Sequence, residues 1–199
     1  MCPQPESYRG NVDCFGPRSC YDEGKRVAEA MVYAYRLEHG LDLKVARIFN
    51  AYGPGMRGTD GRVISSFISQ ALRGKDVIIN GQGNATRSFQ YVEDCVDGLR
   101  ALMESDWGGG PINIGCETET SIVDLANLVV QRVSKLAGGR VSGLRHGEPL
   151  PDEPVRRKPE CALARRVLGW SSKIDLAEGL DRTIMWHMQG GDTSDRTSL

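Results

Sequence analysis

The chain has 199 residues, a formal net charge of −1 and an ordinary composition in which 40% of residues are hydrophobic and 26% charged. Mixed charges of this kind do not favour nucleic-acid binding or attachment to an acidic membrane surface. The six cysteines lack CxxC spacing, so no metal site is predicted. Neither a secretory signal nor an apolar run of membrane-spanning length occurs, and we therefore expect a cytoplasmic protein.

Polar and glycine-rich residues over 1–17 predict an irregular lead-in to a long helix. Apolar residues then recur at helical spacing over 19–39, and Gly40 supplies a stop signal. The β-rich run 43–49 predicts a strand of a parallel sheet. The segment 50–61 is dense in glycine and proline and predicts a loop.

Alternating helices and short strands are predicted for the rest of the chain, up to a polar tail. The Ser121 hydroxyl, followed three residues later by the Asp124 carboxylate, marks the start of one helix. We expect disorder over 190–199, where apolar periodicity ends. The predicted helices are 63–72, 93–103, 121–136, 161–168 and 176–188, and the predicted strands are 77–79, 87–92, 112–114 and 140–145.

Tyr21 and Lys25 open the first predicted helix, and their spacing of four residues puts both side chains on one helix face. A neighbouring ammonium favours the ionised form of a phenol, and a phenolate can act as general base toward a substrate hydroxyl. Spacing alone does not separate this role from that of an ordinary pair on a helix surface. The surrounding motifs decide between the two interpretations.

Several motifs occur in a consistent order along the chain. They are PQPESY (3–8), GPRSCYDEGKR (16–26), ARIFNAYGP (46–54), DGRV (60–63), TRSFQYV (86–92) and RRKPE (156–160). With these motifs, the sequence from about Pro3 to about His187 resembles the UDP-glucuronate decarboxylases, or UDP-xylose synthases. These enzymes are extended short-chain dehydrogenase/reductases of the NAD-dependent epimerase/dehydratase family.

The resemblance implies NAD-dependent conversion of UDP-glucuronate to UDP-xylose through a 4-keto sugar. Tyr21 would accept the proton of the sugar 4-hydroxyl while NAD accepts the hydride. Lys25 would stabilise the phenolate and bind the nicotinamide ribose. Arg62 would lie near the substrate carboxylate, which suits its forked guanidinium. Ala51 and Arg57 correspond to positions that contact the cofactor.

The resemblance also implies a binding site for the UDP-sugar. Arg87 and Arg157 would bind the diphosphate, and Glu160 corresponds to an acid near the nucleotide ribose. Each of these charges, taken singly, is also compatible with an ordinary surface residue. Tyr35 would either reach the substrate or serve in packing. The other implied substrate contacts are Asn50, which follows a strand, Arg62, Ile64, Ser65, Ser66, Phe67 and, through its main chain, Ile79.

The expected fold is α/β: the C-terminal part of a Rossmann-type domain together with a small α+β substrate domain. We predict that 1–62 belongs to the NAD-binding domain and 63–189 mainly to the nucleotide-sugar domain, with some segments returning to the Rossmann part. Dinucleotide-binding sheets begin with a strand, a glycine-rich turn and a helix that receives the pyrophosphate. No such turn of the GxGxxG or GxxGxxG type is expected here, because 81–83 and 108–110 lack both the spacing and a following amphipathic helix. In the family that turn lies in a preceding half, so we expect this chain to be the C-terminal portion of a longer enzyme, or a truncated form.

Two other functions stay open at this point. A nucleotide-sugar epimerase or 4,6-dehydratase would share the scaffold, and a glutamate that would decide between these reactions lies outside the chain. A non-catalytic module would retain a UDP-sugar surface or pair with a full-length enzyme. The resemblance also implies a homodimer for the complete enzyme, and a Golgi location if a preceding segment carries a membrane anchor.

Overall fold

The computed structural model describes residues 1–138, 143–149 and 155–191. The helices in these ranges are α1 (Ser19–His39), α2 (Val63–Leu72), α3 (Val92–Glu104), α4 (Ile122–Ala137), α5 (Ala162–Leu168) and α6 (Leu176–Met188). The strands are β1 (Ala46–Ile48), β2 (Ala51–Tyr52), β3 (Val77–Asn80), β4 (Thr86–Ser88), β5 (Gln90–Tyr91), β6 (Ile112–Ile114), β7 (Glu119–Ser121), β8 (Leu144–Gly147) and β9 (Arg156–Arg157).

Parallel pairing predominates among these strands, which confirms the α/β class predicted from the sequence. β1 pairs with β6, β2 with β5 and β3 with β8, all in parallel. A three-stranded sheet has β4 at its centre, antiparallel to β7 and parallel to β9. The loops after β1 and β2 therefore leave from the carboxyl ends of parallel strands, where open α/β folds bind ligands.

The helices follow the local signals in the sequence closely. α1 has the predicted span and ends at Gly40, whose φ of 63° is left-handed. Ser121 Oγ accepts a hydrogen bond from the main-chain N–H of Asp124 at 3.1 Å, so it caps α4 as predicted. In the described ranges, no helix combines the length and the apolar character needed to cross a membrane.

The strands agree less closely with the sequence-based predictions. The run 43–49 contributes only β1, and the predicted loop 50–61 contains β2. The run 87–92 is divided into β4 and β5 on either side of Phe89. β7 and β9 were not predicted, because Glu119–Ser121 and Arg156–Arg157 consist of polar and charged residues without an apolar pattern.

Part of the C-terminal prediction falls on residues that the structure does not describe. The strand predicted over 140–145 overlaps β8 at residues 144 and 145, and its first three positions lie outside the described residues. The predicted disorder of 190–199 falls outside them from residue 192 onward. That prediction therefore stays a prediction.

Two apolar clusters form the core. The larger cluster packs α2, α4 and α6 against β3 around the fully buried side chains of Ile79, Leu125 and Leu180. The smaller cluster packs α3 and α5 against β6 around Ile112 and Trp170. α1 contributes no buried side chain to either cluster, so other contacts must hold it.

Asp94 joins α3 to the segment that precedes α6. Its side chain is buried, and Oδ2 accepts hydrogen bonds from Ser172 Oγ at 3.0 Å and from the N–H groups of Lys173 and Ile174 at 3.0 and 2.9 Å. Its main-chain carbonyl accepts a further bond from Trp170 Nε1 at 3.1 Å. One buried carboxylate thus satisfies three donors and fixes the approach to α6.

Replacing Asp94 with alanine should lower the free energy of unfolding by about 3 kcal/mol, because three donors would lose their acceptor in a buried site. Asp97→Ala on the same helix is the matched control. Its carboxylate is exposed and pairs with Arg100, so we expect a change within about 0.5 kcal/mol. Urea titration measures both values, and equal stability of the two variants would contradict this role of Asp94.

Candidate functional site

A cavity of about 1100 Å³ opens where several loops at the carboxyl ends of strands come together. Its walls come from the residues after β1, the first turn of α2, the turn between β3 and β4, and the strands β4 and β9. Arg18 and Tyr21, at the start of α1, also line it. A concave site assembled from separate elements at this edge of the sheet is typical of ligand binding in open α/β folds.

The structure brings together most of the residues that the sequence predicts to bind substrate or cofactor. They come from α1, from the segment after β1, from the start of α2, and from β4 and β9. The predicted residues that line the cavity are Tyr21, Asn50, Ala51, Arg62, Ile64, Ser66, Phe67, Arg87 and Arg157.

Other predicted residues lie outside the cavity wall. Ser65 is buried, and its hydroxyl donates to Asp60 Oδ1 at 3.0 Å and to the Arg62 carbonyl at 3.1 Å, so it braces the loop before α2. Ile79 points into the core because strand residues alternate between faces, and Ile78 on one side of it lines the cavity. The side chains of Ser65 and Ile79 are therefore not available to a ligand in this arrangement.

Tyr35, Arg57, Glu160 and Lys25 also lie outside the wall. Tyr35 is half-exposed and packs edge-on against His39, with ring centroids 5.2 Å apart. Arg57 is exposed on the loop before α2, and Glu160 is partly exposed after β9. Lys25 is not part of the wall, but its ammonium group lies near the ring of Tyr21, which is part of it.

Two cations lie close to the Tyr21 ring. The Lys25 Nζ atom is 5.5 Å from the centroid of the Tyr21 ring, and the Arg18 guanidinium carbon is 5.6 Å from it. Both distances are within the range of a cation–π contact. Tyr21 is 61% exposed, so its hydroxyl is accessible from the cavity, and any negative charge on it would be stabilised by the two neighbours.

Arg47 on β1 fixes the helix that carries Tyr21. Its Nε and Nη2 atoms donate to the two carboxylate oxygens of Glu29 on α1, at 2.7 and 2.8 Å. Its Nη1 donates to the Glu6 carbonyl at 2.9 Å, which ties the N-terminal segment to the same point. The hydrogen bonds to Glu29 raise the pKa of Arg47 despite its partial burial. Such a forked pair sets both distance and orientation.

Arg87 and Arg157 are register partners on β4 and β9, so their side chains leave the same face of the sheet. Arg87 is 7% exposed, and its Nη1 donates to the Thr86 carbonyl at 2.8 Å. Burial, together with the guanidinium groups of Arg87 and Arg18, lowers the pKa of Arg157. Because neighbouring desolvated cations are stabilised by an anion, this part of the cavity suits a phosphate or carboxylate.

Glu119 on β7 secures the two arginine-bearing strands. Its carboxylate accepts hydrogen bonds from Arg156 Nε and Nη2 at 3.0 and 2.6 Å and from Thr86 Oγ1 at 2.8 Å. These bonds lower the pKa of Glu119 to about 2. The carboxylate therefore stays ionised at neutral pH and links β4 to β9.

The cavity also contains residues that the sequence analysis did not single out. Arg18 precedes Tyr21 by three residues within the same motif, and this spacing on one helix face was the available signal. Asn80, Gln82 and Asn84 follow one another at every second position and are exposed toward the cavity. Their period of two is a signal that could have found them. Within the described ranges, no cluster of three or more His, Cys, Asp or Glu residues could hold a metal ion.

The loop between β2 and α2 contains glycine spacings that were not expected in this chain. GxGxxG occurs over 53–58 and GxxGxxG over 55–61, so the expectation that neither is present is wrong. A dinucleotide-binding turn leads directly into its helix, whereas α2 begins only at Val63. Gly53, at a φ of 153°, instead allows a close approach, because a Cβ there would lie 2.5 Å from Val92 Cγ1.

The family assignment follows from the sequence match as well as from this architecture. The model of the NAD dependent epimerase/dehydratase family matches residues 2–115, which is more than half of the chain. The chain therefore belongs to the NAD dependent epimerase/dehydratase family, and the resemblance found in the sequence is confirmed.

Individual relatives are similar over most of this chain. It is 51% identical over 178 residues to UDP-glucuronic acid decarboxylase 5 of Arabidopsis thaliana, covering 89% of this chain and 50% of that protein. It is 50% identical over 182 residues to UDP-glucuronic acid decarboxylase 1 of Xenopus tropicalis, covering 92% and 42%. The chain thus spans about half the length of the curated relatives it matches.

A solved structure with a similar fold is the UDP-glucuronic acid 4-epimerase of Bacillus cereus in complex with UDP-glucuronic acid and NAD. Its TM-score is 0.75 at 27% identity, and the similarity covers 92% of this chain and 57% of that one.

Replacing Arg47 with methionine should loosen α1, since α1 has no buried side chain to keep it in place. Loss of charge-assisted hydrogen bonds of about 1.5–3 kcal/mol should accelerate amide hydrogen exchange in α1 by about tenfold or more. Arg100→Met, which removes an exposed arginine paired with Asp97, should leave this exchange unchanged. Equal protection of α1 in the two variants would show that Arg47 does not hold the helix.

Replacing Glu119 with glutamine should destabilise the protein in a pH-dependent way. Because the pKa of Glu119 is lowered to about 2, its contribution is complete above its ordinary value of 4.5 and is lost as pH falls toward 2. The difference in urea midpoint between wild type and Glu119→Gln should therefore be constant from pH 7 to about 5 and shrink below that. A difference that is independent of pH down to the acid limit of folding would contradict the ion-pair role.

Proposed function

We propose that this chain supplies the UDP-sugar site and the proton-transfer residues of an NAD-dependent UDP-glucuronate decarboxylase, which forms UDP-xylose. The observation that carries the proposal is a single cavity that contains both Tyr21 and the arginine pair Arg87 and Arg157. The decarboxylases of Arabidopsis thaliana and Xenopus tropicalis support it, because they match about nine-tenths of the chain at about 50% identity.

The residues present fit the reactive end of NAD. Tyr21 is exposed at the cavity with the Lys25 ammonium beside its ring, so both side chains are available to a nicotinamide ribose. NAD would supply the acceptor, and later the donor, of the hydride at sugar carbon 4. Ala51 lines the same cavity and Arg57 does not, and the cofactor contacts of both remain predictions.

Arg87 and Arg157 would hold the diphosphate of the substrate. Their forked guanidinium groups suit phosphate oxygens, and a bound diphosphate would relieve the repulsion between two partly buried cations. The nucleoside and sugar would be enclosed by Ile64, Ser66 and Phe67 on α2 and by the polar side chains of Asn80, Gln82 and Asn84. Binding would thereby present the sugar to the start of α1.

Tyr21 would accept the proton of the sugar 4-hydroxyl as a phenolate, which Lys25 and Arg18 stabilise as neighbouring cations. Once carbon 4 is a ketone, the carboxylate on carbon 5 belongs to a β-keto acid. Carbon dioxide can leave because the resulting carbanion is delocalised into that ketone, and carbon 5 then takes up a proton from solvent. Tyr21 would return the proton to the 4-oxygen at the end of the sequence.

Arg62 would lie near the reacting carbon. It lines the cavity, and its Nε is 3.4 Å from Asp60 Oδ2 in an exposed ion pair. An exposed pair of this kind contributes little and can be exchanged for a ligand. Asn50, which donates to the Ser88 carbonyl at 3.1 Å, is held at the floor of the same region.

Two alternatives predict different results for the same chain. A 4-epimerase would return UDP-galacturonate from UDP-glucuronate, and the similarity to the Bacillus cereus 4-epimerase favours testing it. A non-catalytic module would bind UDP-sugars without turnover. Analysis of the products separates the three functions: UDP-xylose indicates decarboxylation, UDP-galacturonate indicates epimerisation, and binding without any product indicates a non-catalytic module.

The assembly and location of the protein are further parts of the proposal. Apolar side chains of α1 that include Val27, Met31 and Leu37 are exposed, and they support pairing of two copies through this helix. We also propose that residues 1–62 belong to a cofactor-binding part and residues 63–189 mainly to a nucleotide-sugar part. The proposed location is the cytoplasm. Sedimentation of the purified chain and imaging of the tagged protein in its source cells test these points.

Replacing Tyr21 with phenylalanine should reduce UDP-xylose formation in the presence of NAD by about 100-fold or more, because the proton acceptor is lost. Affinity for UDP should stay within about twofold, since the phenol is not a diphosphate ligand. Mass spectrometry of the products and titration calorimetry measure the two effects. Equal rates of UDP-xylose formation by the wild type and by Tyr21→Phe would contradict this role of Tyr21.

Replacing Arg157 with glutamine should weaken UDP binding by about tenfold or more, because a charge-assisted contact to the diphosphate is removed. Arg145→Gln on β8 is the control, since Arg145 is exposed and lies outside the cavity wall. Equal affinities in the two variants would place the diphosphate elsewhere.

A further inference from the structure

We propose that Arg18 recognises the negative charge of the sugar and thereby gives this site its preference for an acidic sugar over a neutral one. The proposal rests on the proposed function, because it concerns the same cavity. It assigns a role to a side chain that the sequence motifs left without one.

Arg18 is positioned to meet a ligand at the reacting end of the cavity. It lines the wall, and its guanidinium carbon is 5.6 Å from the Tyr21 ring centroid. Its described ion pair is weak, since Nε lies 3.7 Å from Asp22 Oδ2 and the Arg18 side chain is 49% exposed. An exposed pair at this distance holds the guanidinium loosely, so an anionic ligand can recruit it.

The elements that carry the three arginines separate Arg18 from the diphosphate pair. Arg87 and Arg157 are register partners on β4 and β9, whereas Arg18 is at the start of α1, 5.6 Å from the Tyr21 ring centroid. Arg87 and Arg157 share one face of a sheet and are the more buried, which suits the diphosphate. Arg18 is the arginine next to Tyr21.

The chemistry of the sugar explains what an arginine at that point would bind. In a hexuronic acid the carboxylate is on carbon 5, adjacent to the carbon whose hydroxyl Tyr21 would deprotonate. A group beside Tyr21 is therefore beside the carboxylate. A neutral hexose carries a hydroxymethyl group instead, which offers Arg18 no anionic group to bind.

The effect should fall on binding rather than on turnover. A salt bridge to the carboxylate stabilises the bound substrate before carbon dioxide leaves, and interactions made in the ground state lower KM without raising kcat. This distinguishes Arg18 from Tyr21, whose loss should reduce turnover while UDP binding persists.

Titration calorimetry of the purified full chain with UDP-glucuronate, UDP-glucose and UDP tests the proposal. We expect the wild type to bind UDP-glucuronate about tenfold more tightly than UDP-glucose, as one charge-assisted contact would give. Arg18→Gln should remove this preference while affinities for UDP-glucose and UDP change less than about twofold. Arg18→Lys should retain part of it, because the positive charge remains.

Arg26→Gln is the control, because Arg26 is on the same helix and lies outside the cavity wall, and it should keep the full preference. A uniform loss of affinity for all three ligands in Arg18→Gln would overturn the proposal, since Arg18 would then serve the diphosphate or the fold. Retention of the preference in Arg18→Gln, or its loss in Arg62→Gln alone, would also overturn it. UDP-sugar binding without dependence on Arg18 refutes this inference only, whereas absence of any UDP-sugar binding by the wild type refutes the proposed function as well.

Discussion

The forked hydrogen bonds between Arg47 and Glu29 are the constraint on which the site depends. α1 carries the Tyr21 and Lys25 side chains, yet none of its residues is buried, so apolar packing within the described ranges does not fix it. Arg47 instead attaches it to β1, and Arg36 attaches its later turns through a 2.7 Å bond to the Gly109 carbonyl. The position of Tyr21, the proposed general base, is therefore set by polar contacts, which specify orientation more sharply than apolar ones.

Strand pairing concentrates positive charge on one side of the cavity. The pairing of β4 with β9 brings Arg87 and Arg157 together. Glu119 on the same sheet forms its ion pair with Arg156. Burial and, after it, this proximity of cations lower the pKa of Arg157. A diphosphate ligand would add negative charge beside these two cations, so their proximity favours the binding of an anion.

Sequence patterns predicted the long elements well and the short ones poorly. Helical periodicity together with Gly40 gave the span of α1, whereas β7 and β9 exist through pairing with β4, which no local pattern encodes. The same limit applies to the site. Motifs indicated Arg87 and Arg157, which line the cavity, but the position of a side chain depends on packing, so Arg18, which also lines it, was not predicted.

A crystal structure of the chain with UDP-glucuronate tests the central claim most directly. The account predicts diphosphate oxygens on Arg87 and Arg157, and the sugar 4-hydroxyl within hydrogen-bond distance of Tyr21 Oη, about 2.6–3.2 Å. A nucleotide bound with its sugar directed away from α1, or a diphosphate held outside the β4–β9 sheet, would contradict it.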